Sequence, residues 1–367
     1  MDKPFPFGFP PPTAFYLSLY IASWVVHVAF MHYVLAGTAY LVGAGLAGFI
    51  QGGARAESLV TRTLRDWMPF AVSMAITAGV APLIFLQILY QRQFYTANLL
   101  LFDRWMAILP ALIVGFYLTY LLKAVRTESW PAAARLLIAI GAFLCFAFTG
   151  ATWSTNHVVS LKAGEWACFY ESGVLVSGVP RVFIWFASSF GTLAWLVGWQ
   201  LFALQRRALV VPVGIVGRLA ALGLASVACT ALAVGMYYLY ADSRTQAAIV
   251  GPLALPYLLA FIGGLLIQAV FWLAALRARR LGALCLWVAS AGGLLSLLGV
   301  AVMREAVRLR DVDVNGLFAR HADARSVGGL TVFVTFAVIN ALLIAWGFRL
   351  VLRGLRRHSL GAASRVL

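Results

Sequence analysis

Long apolar stretches, separated by short polar segments, dominate the pattern along the chain. Each stretch can cross about 30 Å of hydrocarbon as a helix, which takes about 20 residues. The pattern therefore predicts an all-α polytopic membrane protein with nine transmembrane helices. The predicted spans are residues 14–50, 67–90, 105–122, 132–153, 182–204, 210–240, 251–275, 281–303 and 327–348.

The same pattern divides the chain into three parts. Residues 1–13 are rich in Pro and Phe and are expected to form an interfacial lead-in without a secretory signal. Residues 14–352 form the predicted nine-helix membrane domain, and residues 353–367 form a basic cytoplasmic tail. At about 1.5 Å per residue the first apolar stretch exceeds ~50 Å, so its start should lie in the interface or beyond it.

Composition and charge narrow the class and set an orientation. The chain is 63% hydrophobic and only 11% charged, which excludes an ordinary soluble domain. More than half of its 28 Lys and Arg residues fall in the loops that lie on the same side of the membrane as the C-terminus. By the positive-inside rule, the N-terminus faces out and the C-terminus faces in. We therefore expect a multi-pass protein of the bacterial inner membrane; its net charge of +16 suits this topology and anionic lipid, and indicates no nucleic-acid partner.

Carboxylates are scarce where a proton-driven pump would need them. None of the twelve acidic residues falls well inside a predicted span.

Pro82 and Pro110 are predicted to break the second and third helices, which is the one feature that favours a small-molecule permease. No Cys-x-x-Cys-His motif occurs, so covalent c-type haem is excluded in this chain.

Histidines remain as the candidates for chemistry. His27 and His32 lie in the first span and His157 ends the fourth, all predicted in the outer third of the membrane. Helix-borne histidines at such depth can ligate b-type haem. On one helix His27 and His32 point about 140° apart, so they cannot bind the same iron. The alternative is that each simply hydrogen-bonds a carbonyl or a headgroup, and His321, in an outer loop, is expected to be exposed to solvent.

Three methionines are candidates for a second axial ligand. A thioether can complete the coordination of a low-spin haem. Met31, Met236 and Met303 lie in predicted spans or at their ends. The alternative for each of them is ordinary apolar packing.

Two stretches resemble subunit I of the cytochrome bd-type oxygen reductases. They are "VVHVAFMHYVLAGTAYLVG" (25–43) in the first span and "SMAITAGVAPLIFLQILYQRQFY" (73–95) in the second. In that family the first helix carries a Phe-His pair followed by Gly and aromatic residues. The resemblance places His27 where the family has the ligand of a b-type haem near the outer surface.

Two later stretches extend the resemblance. "TWSTNHV" (152–158) keeps Trp153 and Asn156 of the family pattern and has His157 where the family has Pro. "VMREAVRLRDV" (302–312) puts Arg304 and Asp311 at the spacing of the family's Arg and carboxylate, without the Gln-Pro-Trp that follows the Arg there.

Other parts of the chain depart from the family. Residues 181–186, "RVFIWF", lack the His that holds the second haem, and residues 105–122 lack the acids that carry protons. The segment 241–256, where the family has a long quinol-binding loop, is short and contains neither Lys nor Glu. The resemblance thus implies a protein that keeps part of the haem apparatus without full oxidase chemistry, or one half of a two-chain assembly.

These observations lead to one main hypothesis and two alternatives. The main hypothesis is a membrane-embedded electron-transfer subunit of a respiratory oxidoreductase complex, with one haem b or two. Its partners would be other membrane subunits or a second copy of itself, and a periplasmic c-type cytochrome docking on loops 154–181 and 304–326. The alternatives are a haem-free scaffold of the same fold and a small-molecule permease. The candidate cofactor-binding residues are His27, His157, His32, Met236, Met303 and Arg304, with His27 and His157 as the iron ligands.

Overall fold

A computed structural model describes residues 3–51, 58–124, 130–172, 179–206, 211–326 and 329–363. Within these ranges the chain is helical and contains no strand. The helices are α1 (Pro11–Ile50), α2 (Leu59–Leu89), α3 (Gln91–Leu100), α4 (Phe102–Met106), α5 (Ile108–Lys123), α6 (Ala132–Leu161), α7 (Trp166–Ser172), α8 (Val179–Gln205), α9 (Val213–Tyr240), α10 (Ser243–Val250), α11 (Leu255–Ala278), α12 (Ala283–Arg310), α13 (Val314–Ser326) and α14 (Gly329–Ala363).

Eight helical segments in the described residues are long and apolar enough to cross a membrane, which makes this an all-α, multi-pass membrane protein. They are α1, α2, α4 together with α5, α6, α8, α9, α11 and α12. The predicted ninth span, 327–348, falls largely within α14. The apolar part of α14 is shorter than that of the others and covers Val334–Leu350.

Helix α1 is the centre of the bundle. It packs against α2, α6, α8, α12 and α13. Its 40 residues measure about 60 Å at 1.5 Å per residue, roughly twice the thickness of the hydrocarbon core. The first turns pack against α13, where the Tyr16 ring meets the His321 ring edge-on at 5.8 Å between centroids.

Small residues let α11 and α12 approach each other closely. A Cβ on Gly292 would lie 2.9 Å from the carbonyl oxygen of Gly264, and a Cβ on Gly264 would collide with the carbonyl oxygen of Gly292. Close backbone approach through small residues is a common way for membrane helices to gain packing, because lipid offers no hydrophobic drive between them.

Two apolar clusters fill the two ends of the bundle. One surrounds Leu64, Met68, Leu193 and Trp272 and lies toward the end where α1 and α8 finish. The other lies toward the opposite end and includes aromatic residues of α1 and α2 with the last turns of α12. The candidate site lies beside this second cluster.

Several helix ends differ from the prediction. Helix α12 continues to Arg310 and α13 follows at once, so residues 304–326 are mostly helical and not an open loop. Helix α6 continues to Leu161, which places His157 inside a helix. The prediction ended these spans at the first polar residues, whereas buried polar partners allow both helices to continue.

The proline predictions also differ from the structure. Helix α2 runs through Pro82 without ending there, so Pro82 does not break it. Pro110 lies in the first turn of α5. The backbone N–H of a residue in the first turn has no acceptor within the helix. Pro lacks this N–H and is therefore tolerated there.

Candidate cofactor site

A large cavity lies between α1, α2, α6, α8, α9 and α12. Its volume is about 1200 Å³ and its lining is mostly apolar. Typical pockets for small ligands measure roughly 300 to 1000 Å³. The cavity is therefore large enough for a bulky, mainly apolar ligand. The few polar side chains on its wall show where polar atoms of such a ligand can bind.

His27 lies on the wall of this cavity with a fixed ring orientation. Its Nδ1 lies 2.9 Å from the carbonyl oxygen of Ala75 in α2. A carbonyl can only accept, so Nδ1 carries the proton and Nε2 is left as the basic nitrogen. Metal-binding histidines generally have this second hydrogen bond, which fixes the tautomer and raises ligand basicity.

Gly79 makes room for the His27 ring. A Cβ at Gly79 would lie 2.9 Å from both Cε1 and Nδ1 of the ring, closer than real Cβ contacts allow. The ring therefore lies directly against the backbone of α2, one turn from the carbonyl that it contacts. The "AITAGVAP" segment of α2 thus supplies both the carbonyl of Ala75, which accepts the hydrogen bond, and the space at Gly79 for the ring.

His157 reaches the same cavity from α6, with the opposite tautomer. The Arg308 guanidinium donates to Nδ1 of His157, so the imidazole proton is on Nε2. That Nε2 is buried and has no hydrogen-bond partner among the described residues. In this state His157 offers a donor, whereas iron ligation by Nε2 would need that proton to leave. Ligation by His157 remains a prediction.

Arg308 belongs to a buried charged cluster at the end of α12. Its Nη1 lies 3.1 Å from both carboxylate oxygens of Glu305, which is 3% exposed. Tyr90, the residue that ends α2, donates to the same carboxylate at 2.8 Å. Arg304 lies 3.4 Å from the carboxylate and donates to the Tyr20 hydroxyl. Glu305 lies five residues before the end of α12, in a segment that the prediction had assigned to an outer loop.

A third arginine faces the cavity from the first turn of α8. Arg181 donates to the Tyr237 hydroxyl of α9 at 2.8 Å, and its guanidinium carbon lies 5.3 Å from the centre of that ring. The Arg304 guanidinium lies over the Trp24 ring at 4.4 Å. Such cation–π contacts help to hold a partly desolvated guanidinium in place.

His32 does not reach the large cavity. It faces a separate space of about 50 Å³, and its Nδ1 lies 3.0 Å from Oγ1 of Thr192 in α8. The two histidines of α1 thus have different surroundings, as their angular separation predicted. A space of this volume suits a few water molecules and is far smaller than any pocket for an organic cofactor.

The remaining sequence candidates lie in three places: the cavity wall, the surface, and a buried position between α13 and the start of α1. Met31 and Met303 line the cavity, whereas Met236 is 43% exposed and does not. His321 is fully buried, with Nδ1 2.9 Å from the Thr13 hydroxyl, so the expectation that it is exposed was wrong. Burial, together with the neighbouring Arg320, lowers the pKa of His321 to about 4.

Sequence reasoning missed most of the polar residues of the cavity. These are Tyr20, Tyr90, Arg181 and Arg308, which line it, and Glu305, which bonds Tyr90 and Arg308 behind the wall. A signal was present in "REAVR", where helical spacing puts Arg304 and Arg308 on one face with Glu305 beside Arg308. Assigning this segment to a loop hid that signal.

Among the described residues, no group of three or more His, Cys, Asp or Glu side chains forms a metal-binding cluster. Comparison with protein-family models and with curated proteins gives no match for this chain.

Proposed function

We propose that this chain is a membrane-embedded electron-transfer subunit that binds b-type haem in the large cavity, with His27 as an axial ligand. The observation that supports this most is the hydrogen bond from His27 Nδ1 to the Ala75 carbonyl, which leaves Nε2 as the nitrogen available to iron. The same imidazole lines the cavity of about 1200 Å³, which has room for a bulky apolar ligand beside it.

The cavity residues fit such a group. The apolar lining suits the body of a porphyrin, and Met31, Met106 and Met303 place thioethers on the cavity wall. When bound, the haem would supply reversible one-electron chemistry. The contribution of the chain would be to hold the imidazole of His27 in one orientation, to exclude water with apolar walls, and to set the local charge with Arg304 and Arg308.

One haem is proposed in preference to two. The space beside His32 is about 50 Å³, and Met236 is 43% exposed and does not line the large cavity. Neither residue is therefore included in the proposed site. A second haem would need His157 to lose its Nε2 proton and bind a separate iron.

The topology that we propose has nine spans, with α14 as the ninth. The exposed apolar residues of Val334–Leu350 suit a lipid-facing or subunit-facing helix. With the Lys and Arg distribution, this puts the N-terminus outside and the C-terminus inside the bacterial inner membrane. The cavity end formed by α12 would then be the outer one, where electrons would be exchanged with a periplasmic c-type cytochrome or with another membrane subunit.

The proposal extends to the family resemblance. We propose that the chain is a divergent relative of subunit I of the cytochrome bd-type oxygen reductases, within a larger oxidoreductase complex. His27 on the first helix and its contact on the second involve the two stretches that carry the resemblance best. The short α10 segment and the acid-free α5 support a protein without the quinol site and without the proton route of that family.

The test is a dithionite-reduced minus oxidised optical spectrum of the purified chain, with a pyridine haemochrome assay for haem per polypeptide. We expect a b-type signal at about one haem per chain. His27→Ala should abolish it, whereas His32→Gln, on the same helix but facing the small space, should keep it.

Two results would contradict the proposal. A folded wild-type protein without haem would favour a haem-free scaffold, and measurable solute uptake by vesicles would then favour a permease. A haem signal that survives His27→Ala unchanged would overturn the ligand assignment.

A further inference from the structure

The polar end of the large cavity has more positive charge than its own partners neutralise. Three guanidinium groups, those of Arg181, Arg304 and Arg308, line it, and Glu305 supplies one carboxylate beside them. Among the described residues, two positive charges at this end therefore have no carboxylate partner. Arg308 is buried and paired with Glu305, whereas Arg181 and Arg304 are partly buried, so an unbalanced charge on them carries a smaller desolvation cost than a fully buried ion would and still favours an anionic partner.

Unpartnered donors lie at the same place. Nη1 of Arg181, Nε of Arg304, Nε of Arg308 and Nε2 of His157 are all buried and have no hydrogen-bond partner among the described residues. Native proteins leave few buried polar atoms unsatisfied, so four of them on residues that line one end of one cavity require an explanation. Every one of these four atoms can donate and none of them accepts in the observed state.

The fixed tautomer of His157 adds a further donor at this end of the cavity. Because Arg308 donates to Nδ1, His157 must present an N–H at Nε2. A cation would be repelled by the three guanidinium groups, and the one carboxylate beside them, that of Glu305, is already bound by Arg308 and Tyr90. Water could accept these hydrogen bonds but would not neutralise the charge. Only an acceptor with negative charge satisfies both conditions.

We propose that this end of the cavity is an anion site, which takes the carboxylate or phosphate of an amphiphilic ligand whose apolar body fills the rest of the cavity. Guanidinium groups bind both anions through charge-assisted hydrogen bonds. Two sources share this chemistry: the propionate groups of the proposed haem and the headgroup of an anionic lipid. The first source rests on the proposed function, and the second does not.

Arg181→Gln is the variant best suited to the test. Arg181 is only half-buried and bonds Tyr237, so its loss leaves the Glu305 cluster intact. Arg304→Gln is the second variant, closer to the cluster. The matched control is Arg244→Gln, which removes an exposed arginine of α10 that does not line the cavity.

The haem arm of the experiment titrates protein from haem-limited cells with haem b and with its dimethyl ester, followed by absorbance. The ester keeps the porphyrin and iron but carries no carboxylate. We expect the free acid to bind about tenfold more tightly or better, the size of effect that one charge-assisted hydrogen bond gives. Arg181→Gln should reduce this preference, and Arg244→Gln should not.

The lipid arm compares the thermal stability of delipidated protein after addition of phosphatidylglycerol or phosphatidylcholine. A shift specific to phosphatidylglycerol, lost in Arg181→Gln and kept in Arg244→Gln, identifies the headgroup as the anion. If this shift occurs in a protein that binds neither form of haem, the anion site stands and the proposed function fails.

The inference is overturned if acid and ester bind equally and both lipids act equally. In that case haem binding alone would still support the proposed function. A free-acid preference that persists unchanged in both Arg181→Gln and Arg304→Gln would also overturn it, because the discrimination would then come from elsewhere.

Discussion

The Arg308 guanidinium of α12 donates to Nδ1 of His157 in α6, across 151 residues of sequence. The same guanidinium binds both carboxylate oxygens of Glu305 one turn earlier in its own helix. This pair of contacts fixes the protonation of His157 and joins α6 to α12. It also makes the polar end of the cavity a donor-rich surface.

Glu305 should be essential for stability. Glu305→Gln removes the only carboxylate that the described structure places against Arg304 and Arg308, while keeping its volume. Removing one partner of a buried ion pair costs about 3 to 5 kcal/mol because the remaining charge stays buried. We expect a loss of about 3 kcal/mol in the free energy of unfolding, measured by denaturant titration in detergent.

Asp311→Asn is the control for that experiment. Asp311 follows α12, lies 3.9 Å from Arg310 and is 37% exposed at its side chain. Exposed pairs of this kind contribute about 1 kcal/mol or less. Equal losses for Glu305→Gln and Asp311→Asn would show that the Glu305 carboxylate does not stabilise the buried Arg308 guanidinium.

Gly79 should control the position of His27. Gly79→Ala puts a methyl group 2.9 Å from two atoms of the imidazole, so the ring must move from the Ala75 carbonyl. We expect lower haem content and a shifted absorbance maximum. Gly150→Ala is the matched control, since Gly150 lines the same cavity from α6 and a Cβ there meets nothing within 4 Å. If both variants bind haem like wild type, the ring is not held as proposed.

The sequence predicted the features that depend on neighbouring residues and missed the contacts between residues far apart in the chain. Apolar length predicted most of the spans, and helical periodicity separated His27 from His32 correctly. The Glu305 cluster was missed because polar residues were assumed to end a span. Its partner Tyr90 lies 215 residues away, and no local pattern indicates that pairing.

The tautomers of the histidines were equally beyond local reasoning. His27 and His157 look alike in the sequence, as single histidines near the end of an apolar stretch. The carbonyl of Ala75 makes one a potential ligand, and the guanidinium of Arg308 makes the other a donor. Only the packing of α2 against α1, and the contact of Arg308 in α12 with His157 in α6, distinguish them.

His321 should make stability depend on pH. Its pKa in the folded protein is about 4, below the usual 6.5, because burial and the nearby Arg320 disfavour its protonated form. The unfolded chain therefore takes up this proton at higher pH than the folded protein does. The contribution of His321 to stability is complete above about pH 6.5 and is lost as the pH falls toward 4, by up to about 1.4 kcal/mol per pH unit.

The measurement is the free energy of unfolding at several pH values between 4 and 7, for wild type and His321→Gln. The variant keeps a polar side chain next to the Thr13 hydroxyl but cannot titrate. We expect a flatter pH dependence in this window. Curves that remain parallel would assign the pH dependence to other groups.

Chemical rescue tests the central claim, iron ligation by His27, most directly. His27→Gly removes the imidazole and leaves space at the wall of the cavity, so free imidazole in the buffer can take its place. The account predicts a haem signal that is absent in His27→Gly, returns with imidazole at about one haem per chain, and shows the wild-type reduced minus oxidised spectrum. A wild-type spectrum in His27→Gly without imidazole would contradict it.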